Sequence, residues 1–273
     1  MRKLLFFIFV GVSLGISLFI ALSLSSDNQS MDIKAFNTAN NLYLAGKYDE
    51  AIQIYQNLAA ENQSNSVLYF NLGNAYYMNG DKGRALVNYK RALRLDPRDQ
   101  DIMNNIRIVQ SANNESVNEP RALRGPITSL AEVTGQILSI NETALITLGL
   151  WFLIFTMILL LRILRNRQFR VGASAFLMLF VLLFIIAGLS LGSRILTEKL
   201  YPPAVVTAVE IPLNSQPGET YVTENYLKNG AEVLLLDTQG EWIKLSNNSN
   251  TYQGWVPASS VETVAITFGY PGL

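Results

Sequence analysis

The sequence predicts a multidomain membrane protein in three parts: an all-α repeat solenoid, a transmembrane helical hairpin and a small all-β barrel. Three observations predict it. Residues 32–65 laid over residues 66–99 coincide at many positions at a shift of 34. Two uncharged apolar runs lie further along, 144–161 and 171–192, each long enough to cross about 30 Å of hydrocarbon as a helix. A soluble core helix rarely lacks charge on every face over that length. From 204 to 264, short β-branched and aromatic runs alternate with Gly and Asn turns, as in a small barrel.

Composition narrows the chemistry before any motif is read. The chain has 273 residues, 49% of them hydrophobic, with 21 basic and 21 acidic side chains, no Cys and no His. Cysteine nucleophiles and Ser-His-Asp triads are excluded outright, and metal centres that use Cys or His ligands are not expected. No Gly-rich phosphate loop occurs. Asp49, Glu50, Asp99 and Asp101 read as helix N-terminal residues favoured by the dipole. The expectation is a binding protein and not an enzyme, with no cofactor, no metal and no small-molecule substrate. The balanced charge predicts no nucleic-acid partner.

At the N-terminus, Arg2 and Lys3 precede an uncharged apolar stretch, 4–24, and Ala21, Ser23 and Ser25 suit a cleavage site. The pattern is that of a secretory signal, whose core usually runs about 7–15 residues. The stretch is also long enough to remain as an anchor. Residues 1–25 are therefore a signal peptide or an N-terminal anchor, and either one exports the repeat region behind it.

In the repeat region, 32–112, the coincidences at a shift of 34 are Phe36/Phe70, Asn40/Asn74, Tyr43/Tyr77, Gly46/Gly80, Ala51/Ala85 and Tyr55/Tyr89. The second copy carries Tyr69, Leu72, Gly73, Tyr76, Gly80, Ala85, Tyr89, Ala92 and Pro97. Gly73 and Ala85 suit close helix approach, Gly80 a tight turn, and Pro97 a helix end. This pattern resembles the tetratricopeptide repeat, a helix-turn-helix solenoid unit. The first copy departs from it, with Thr38 and Ala39 for Leu-Gly, Leu58 for the late alanine and Gln63 for the proline. Two repeats leave an apolar face open. Ile102, Ile106 and Val109 fall on one helical stripe, which predicts a solvating cap helix.

By the same resemblance, the inner face of the array is lined by Ile33, Phe36, Asn40, Tyr43 and Leu44, then Val67, Phe70, Asn74, Tyr77 and Met78. An amide there can both donate to and accept from a peptide backbone. The lysines of a carboxylate clamp are missing, so the expected ligand is an extended or helical segment with apolar side chains. The opposing expectation is that these residues pack on the cap helix or on neighbouring repeats. Lys82, Arg84, Lys90, Arg91, Arg94 and Arg98 make the second helix of copy two basic. A solvated convex face is the default; lipid, an acidic partner or the acidic module of the same chain are the sharper options.

Residues 113–143 read as a linker, polar through Gly125, then a segment with Ile127, Leu130, Thr134 and Ile137 at helical spacing. That segment is either an interfacial helix or a packed connector. The apolar runs 144–161 and 171–192 flank a loop, 162–170, that carries Arg162, Arg165, Arg167 and Arg170. Arginines in a short loop beside two spans place that loop in the cytoplasm and against lipid headgroups. The repeats and the barrel are then extracytoplasmic, in agreement with export behind Arg2 and Lys3. Gly188 and Gly192 form a GxxxG, as do Gly11 and Gly15, and are expected to serve hairpin packing, or else oligomerisation.

The C-terminal residues AEVLLLDTQGEWIKL and QGWVPASSVE resemble the bacterial SH3-like domain over 204–264. The loop PLNSQPGET departs from that family's usual first loop. Seven acids stand against Lys228 and Lys244 in this module. Trp242, Tyr252 and Trp255 are its candidate aromatic contacts.

The order of signal, two tetratricopeptide repeats, membrane hairpin and SH3-like barrel is similar to the Bat family of envelope proteins from aerotolerance operons, in particular the BatE type. The segment FNLGNAYYMNGDKGRALVNYKRALRLDPRDQDIMNNI resembles that family's repeat. The resemblance implies a bacterial inner-membrane scaffold with periplasmic modules. It also implies von Willebrand A-type membrane partners and a link to oxidative-stress tolerance. The alternative is an envelope protein that docks cell-wall peptide through the SH3-like domain.

Overall fold

The computed structural model describes residues 32–61, 63–112, 126–218, 222–247 and 252–265. The expected signal or anchor, with Arg2, Lys3, Gly11 and Gly15, and the polar linker 113–125 lie outside the described residues.

Five helices stack in sequence: α1 (Ile33–Leu44), α2 (Tyr48–Glu61), α3 (Ser66–Met78), α4 (Lys82–Leu95) and α5 (Gln100–Ala112). Polar side chains start them. Asp32 accepts from the amides of Lys34 and Ala35, Asn65 from Leu68 and Asp81 from Arg84, which satisfies amides that a first turn leaves open. Gly46 (φ +76°) and Gly80 (φ +89°) end α1 and α3 in the left-handed region, where a side chain would be strained.

The stretch read as a cap helix has a more definite place. Helices α3 and α5 are each 13 residues long and start 34 apart, so α5 sits in register as the first helix of a third unit. Buried Leu68, Leu72 and Ala75 of α3 recur as buried Ile102, Ile106 and Val109 of α5. The same positions on α1 are Lys34, Thr38 and Asn41, of which Lys34 and Asn41 are exposed and Thr38 is exposed with its hydroxyl bonded to Lys34 O. The array therefore begins on a face that water can cover and ends when α5 has covered α4.

Seven strands among the described residues form one curled antiparallel sheet: β1 (Pro203–Val206), β2 (Glu210–Asn214), β3 (Val222–Lys228), β4 (Glu232–Gln239), β5 (Trp242–Asn247), β6 (Gln253–Pro257) and β7 (Val261–Thr263), in the order β3-β2-β6-β5-β4-β1-β7. A 3₁₀ turn, Ala258–Ser260, precedes β7. Alternation sends Ala204 and Val206 of β1 into the sheet's own core, while Val205 between them joins the core of the helical repeat, as does Val264. A strand buried on both faces is the signature of a covered sheet, and here the cover is helix α4.

The basic face of α4 is a docking face and not a solvated one. Lys90 Nζ lies 2.7 Å from a carboxylate oxygen of Glu232, and Gln110 of α5 donates to the other oxygen of that carboxylate at 2.7 Å. Arg91 pairs with Glu262 at 2.8 Å and donates to Thr263 O at 2.7 Å. The Gly83 amide donates to Asn229 Oδ1 at 2.6 Å, and a Cβ on Gly83 would stand 2.5 Å from Val206 O. Further along, Arg94 pairs with Glu198, and Arg98 with Glu142 at 2.6 Å. The basic residues of α4, with Arg98 just beyond its end, thus find their counter-charges in three later parts of the chain.

Helices α6 (Pro126–Ile137), α7 (Ile140–Ile163) and α8 (Arg167–Leu200) complete the described residues. Helices α7 and α8 are long and apolar enough to cross a membrane, each holding an 18-residue stretch of mean hydropathy 2.6 and 2.7, respectively. Both outrun their uncharged stretches, because polar residues at their ends extend the same hydrogen-bonded spiral. Ser139 and Glu142 form a capping box on α7. Arg162 lies in the last turn of α7 and Arg167 and Arg170 in the first of α8, so only residues 164–166, with Arg165, link them. All four arginines are exposed.

Helix α6 packs against α8. Thr134 and Ser190 share a hydroxyl hydrogen bond, and Arg194 donates to Leu138 O at 3.0 Å and Thr143 Oγ1 at 3.3 Å. The packing expected of Gly188 and Gly192 is not where α7 and α8 meet: a Cβ on either glycine meets no atom within 4 Å.

Candidate partner-binding groove

The first helices of the three units, α1, α3 and α5, line one side of the repeat. Within α1–α5, the exposed large hydrophobic residues are Ile33 (67%), Leu44 (80%), Val67 (56%), Met78 (50%) and Ile108 (50%). Every one lies on a first helix, and none of the described residues of α2 or α4 joins them. Ile33/Val67 and Leu44/Met78 are equivalent pairs at the repeat shift. Scattered exposed hydrophobics are ordinary, but here they recur at equivalent sites, Ile33/Val67 at one end of the first helices and Leu44/Met78 at the other.

Between these exposed residues sit the aromatic and amide positions. Phe36 and Phe70 are half-buried, and their rings lie 6.0 and 5.9 Å from those of Tyr55 and Tyr89. Tyr43 lies 5.5 Å from Tyr48, and Tyr77 is half-buried against the core. Asn40 Oδ1 accepts from Tyr55 Oη at 2.5 Å and from Asn71 Nδ2 at 3.2 Å. One unit on, Asn74 Oδ1 accepts from Tyr89 Oη at 2.8 Å and from Asn105 Nδ2 at 2.9 Å.

Both oxygens therefore have two donors already and serve as hubs that tie each unit to the next. What each amide offers a ligand is its NH₂ alone. The hubs' partners also recur at the shift, Tyr55/Tyr89 and Asn71/Asn105. That recurrence of Asn71 as Asn105 was the sequence signal for the ladder.

Burial of the hub tyrosines has a consequence in alkali. It pushes the Tyr55 phenol up to about 12 and raises Tyr89 as well, because a phenolate there would be desolvated. Below the ordinary value of 10.0 both states hold these protons. Above it the unfolded chain releases them while the folded chain does not, so stability falls as pH rises through this window. Tyrosinate absorbance from Tyr55 and Tyr89 is expected to appear together with loss of the repeat's ellipticity. Tyr55→Phe should weaken this pH dependence.

The candidate residues of the sheet divide by accessibility. Trp255 is 8% exposed and faces Lys244 and Asn214 across the sheet. Tyr252 packs on the sheet's core, and Trp242 is half-buried opposite Pro257. Among the described residues, no group of three or more His, Cys, Asp or Glu side chains is placed to hold a metal ion. Among the described residues, the exposed side chains of the groove are aliphatic and its amides neutral. Its chemistry is that of a surface for apolar side chains.

Residues 66–99 match the tetratricopeptide repeat family. No curated protein matches the chain.

Proposed function

We propose that this protein is a membrane-anchored scaffold that holds protein partners in the groove of its tetratricopeptide repeats. The observation that carries the reading is the set Ile33, Leu44, Val67, Met78 and Ile108, aliphatic side chains left open on the first helices alone, with Ile33/Val67 and Leu44/Met78 at equivalent positions of successive units. A neutral aliphatic set flanked by amide donors suits an amphipathic or extended segment of low charge.

Helices α7 and α8 form a membrane hairpin in this reading, with Arg162, Arg165, Arg167 and Arg170 on the cytoplasmic side. The ion pairs support it. Glu198, near the end of α8, reaches Arg94 in the last turn of helix α4, and Glu142, near the start of α7, reaches Arg98 just beyond it, so the far ends of the hairpin emerge on one face. The sheet is an SH3-like barrel docked beside the repeats on that same, periplasmic side of the bacterial inner membrane. By resemblance, the assembly is a Bat-type envelope complex with von Willebrand A-type membrane partners, linked to oxidative-stress tolerance.

The test is affinity capture of membrane proteins in detergent with the parent chain and with Val67→Glu/Met78→Glu. Both positions are exposed, so the melting transition should not move, whereas capture should fall at least about tenfold. Equal capture by the double variant would remove the groove from the account. Asn40 and Asn74 are unsuitable probes, since their loss leaves buried phenols without acceptors.

A further inference from the structure

We propose that the cleft between the repeat and the sheet binds a short acidic peptide, one that carries two carboxylates and a free ammonium. The cleft has a volume of about 640 Å³, within the range of about 300–1,000 Å³ usual for small-ligand sites, which form preferentially at junctions between domains. One wall is the turn from α3 into α4, with Asn79, Asp81 and Lys82. The other belongs to the sheet, with Thr207, Glu210, Lys228 and Asn229.

Most polar groups of the lining are already engaged. Asn79 donates to Asp49 at 2.8 Å, and Thr207 Oγ1 donates to Ser260 O at 3.3 Å. Asn229 accepts from the Gly83 amide at 2.6 Å and donates to Thr207 O at 2.7 Å. Asp81 accepts from the Arg84 amide at 3.0 Å and pairs with the Arg84 guanidinium at 3.1 Å. The Gly83 and Arg84 amides are thereby taken, so the start of α4 is not what attracts an anion here. Lys82, Glu210 and Lys228 remain. Among the described residues, none of these three side chains has an ion pair or a hydrogen bond.

Elsewhere on the dock the charges are matched, Lys90 with Glu232 and Arg91 with Glu262. Glu210 and Lys228 are cross-strand neighbours, a placement in which opposite charges stabilise a sheet by pairing, yet both stay open to the cleft. Two ammonium groups, one on each wall, and one carboxylate match the proposed ligand charge for charge, and each contact would be a charge-assisted hydrogen bond. A simple dicarboxylate would leave Glu210 facing an anion, so the ammonium is part of the fit. Lys82 stands on one module and Glu210 and Lys228 on the other, so a ligand that spans the cleft also tightens the dock.

The test is equilibrium dialysis of the full chain in detergent against labelled glycylglutamate, which has the two carboxylates and the ammonium. Saturable binding at one site per chain is expected, with a dissociation constant below about 1 mM. Lys82→Gln on one wall and Lys228→Gln on the other should each weaken binding about tenfold, with the melting transition unmoved. N-acetylglycylglutamate lacks the ammonium and should bind the parent chain about tenfold more weakly. In Glu210→Gln the two peptides should bind alike. Absence of saturation at millimolar peptide would overturn the proposal. So would an affinity that neither lysine substitution changes, or equal binding of the two peptides by the parent chain.

Discussion

Gly73→Leu is expected to unfold the helical repeat. A Cβ at Gly73 already stands 2.7 Å from two ring atoms of Tyr89. That ring cannot step aside, because Tyr89 is 1% exposed and its hydroxyl is held by Asn74. Inserting methylenes into a packed core commonly costs about 1–3 kcal/mol, and leucine adds four carbons at a site with no room for the first. Domain stability is commonly only about 5–15 kcal/mol, so several such costs at one site remove most of the margin. The first unit calibrates the prediction. It carries Ala39, fully buried, at the equivalent position. Gly73→Ala should therefore leave the array folded with a lowered Tm, while Gly73→Leu loses the near-ultraviolet signal of the buried tyrosines at all temperatures.

Reversing Lys90 and Arg91 to Glu should release the sheet from α4 without unfolding either part. Surface ion pairs contribute only about 0–1 kcal/mol each, but these are partly screened from water. Lys90 and Glu232 are 26% and 16% exposed, and Arg91 and Glu262 are 17% and 34% exposed. The double reversal also sets four acids against one another across an interface whose apolar seam includes Val205 and Val264. Adding Glu232→Lys and Glu262→Arg should restore the dock, with a coupling of about 1–3 kcal/mol in the cycle. Protease sensitivity of the segment between Leu200 and β1 reads the dock directly. Enhanced cleavage in the reversed variant and recovery in the compensated one are expected. Equal cleavage in all three would mean that the charges do not hold the interface. Gly83→Leu should release the sheet by a different route, since its side chain would enter the space of Val206 O and Asn229.

What the sequence revealed depended on whether a feature is periodic. The repeat length, the turn glycines and the buried tyrosines were legible because each occurs twice at a fixed shift. The third-unit register of α5 was legible too, in Asn71/Asn105 and Leu68/Ile102, though the stripe Ile102, Ile106 and Val109 by itself suggested only a cap. The dock on α4 was not. Arg84, Lys90, Arg91, Arg94 and Arg98 look like a solvated face because their counter-charges, Glu142, Glu198, Glu232 and Glu262, lie 44 to 178 residues away and obey no period. Alternation in β1 hid its second burial for the same reason: Val205 looks like any outward valine until a helix from another part of the chain covers it. The oxygens of Asn40 and Asn74 looked free for a ligand because a hydrogen bond to a residue 15 or 31 positions away leaves no mark on local pattern.

The chain contains no cysteine, so a single introduced thiol reports its own side of the membrane. Lys34→Cys marks the repeat, Thr238→Cys the sheet and Arg165→Cys the link between α7 and α8; all three positions are exposed. In intact cells whose outer membrane has been made permeable, a maleimide that cannot cross the inner membrane should label the first two. It should label the third only after the inner membrane is opened. Labelling of the link in sealed cells, or of the repeat and the sheet on opposite sides, would contradict a scaffold whose two modules stand docked together outside the membrane.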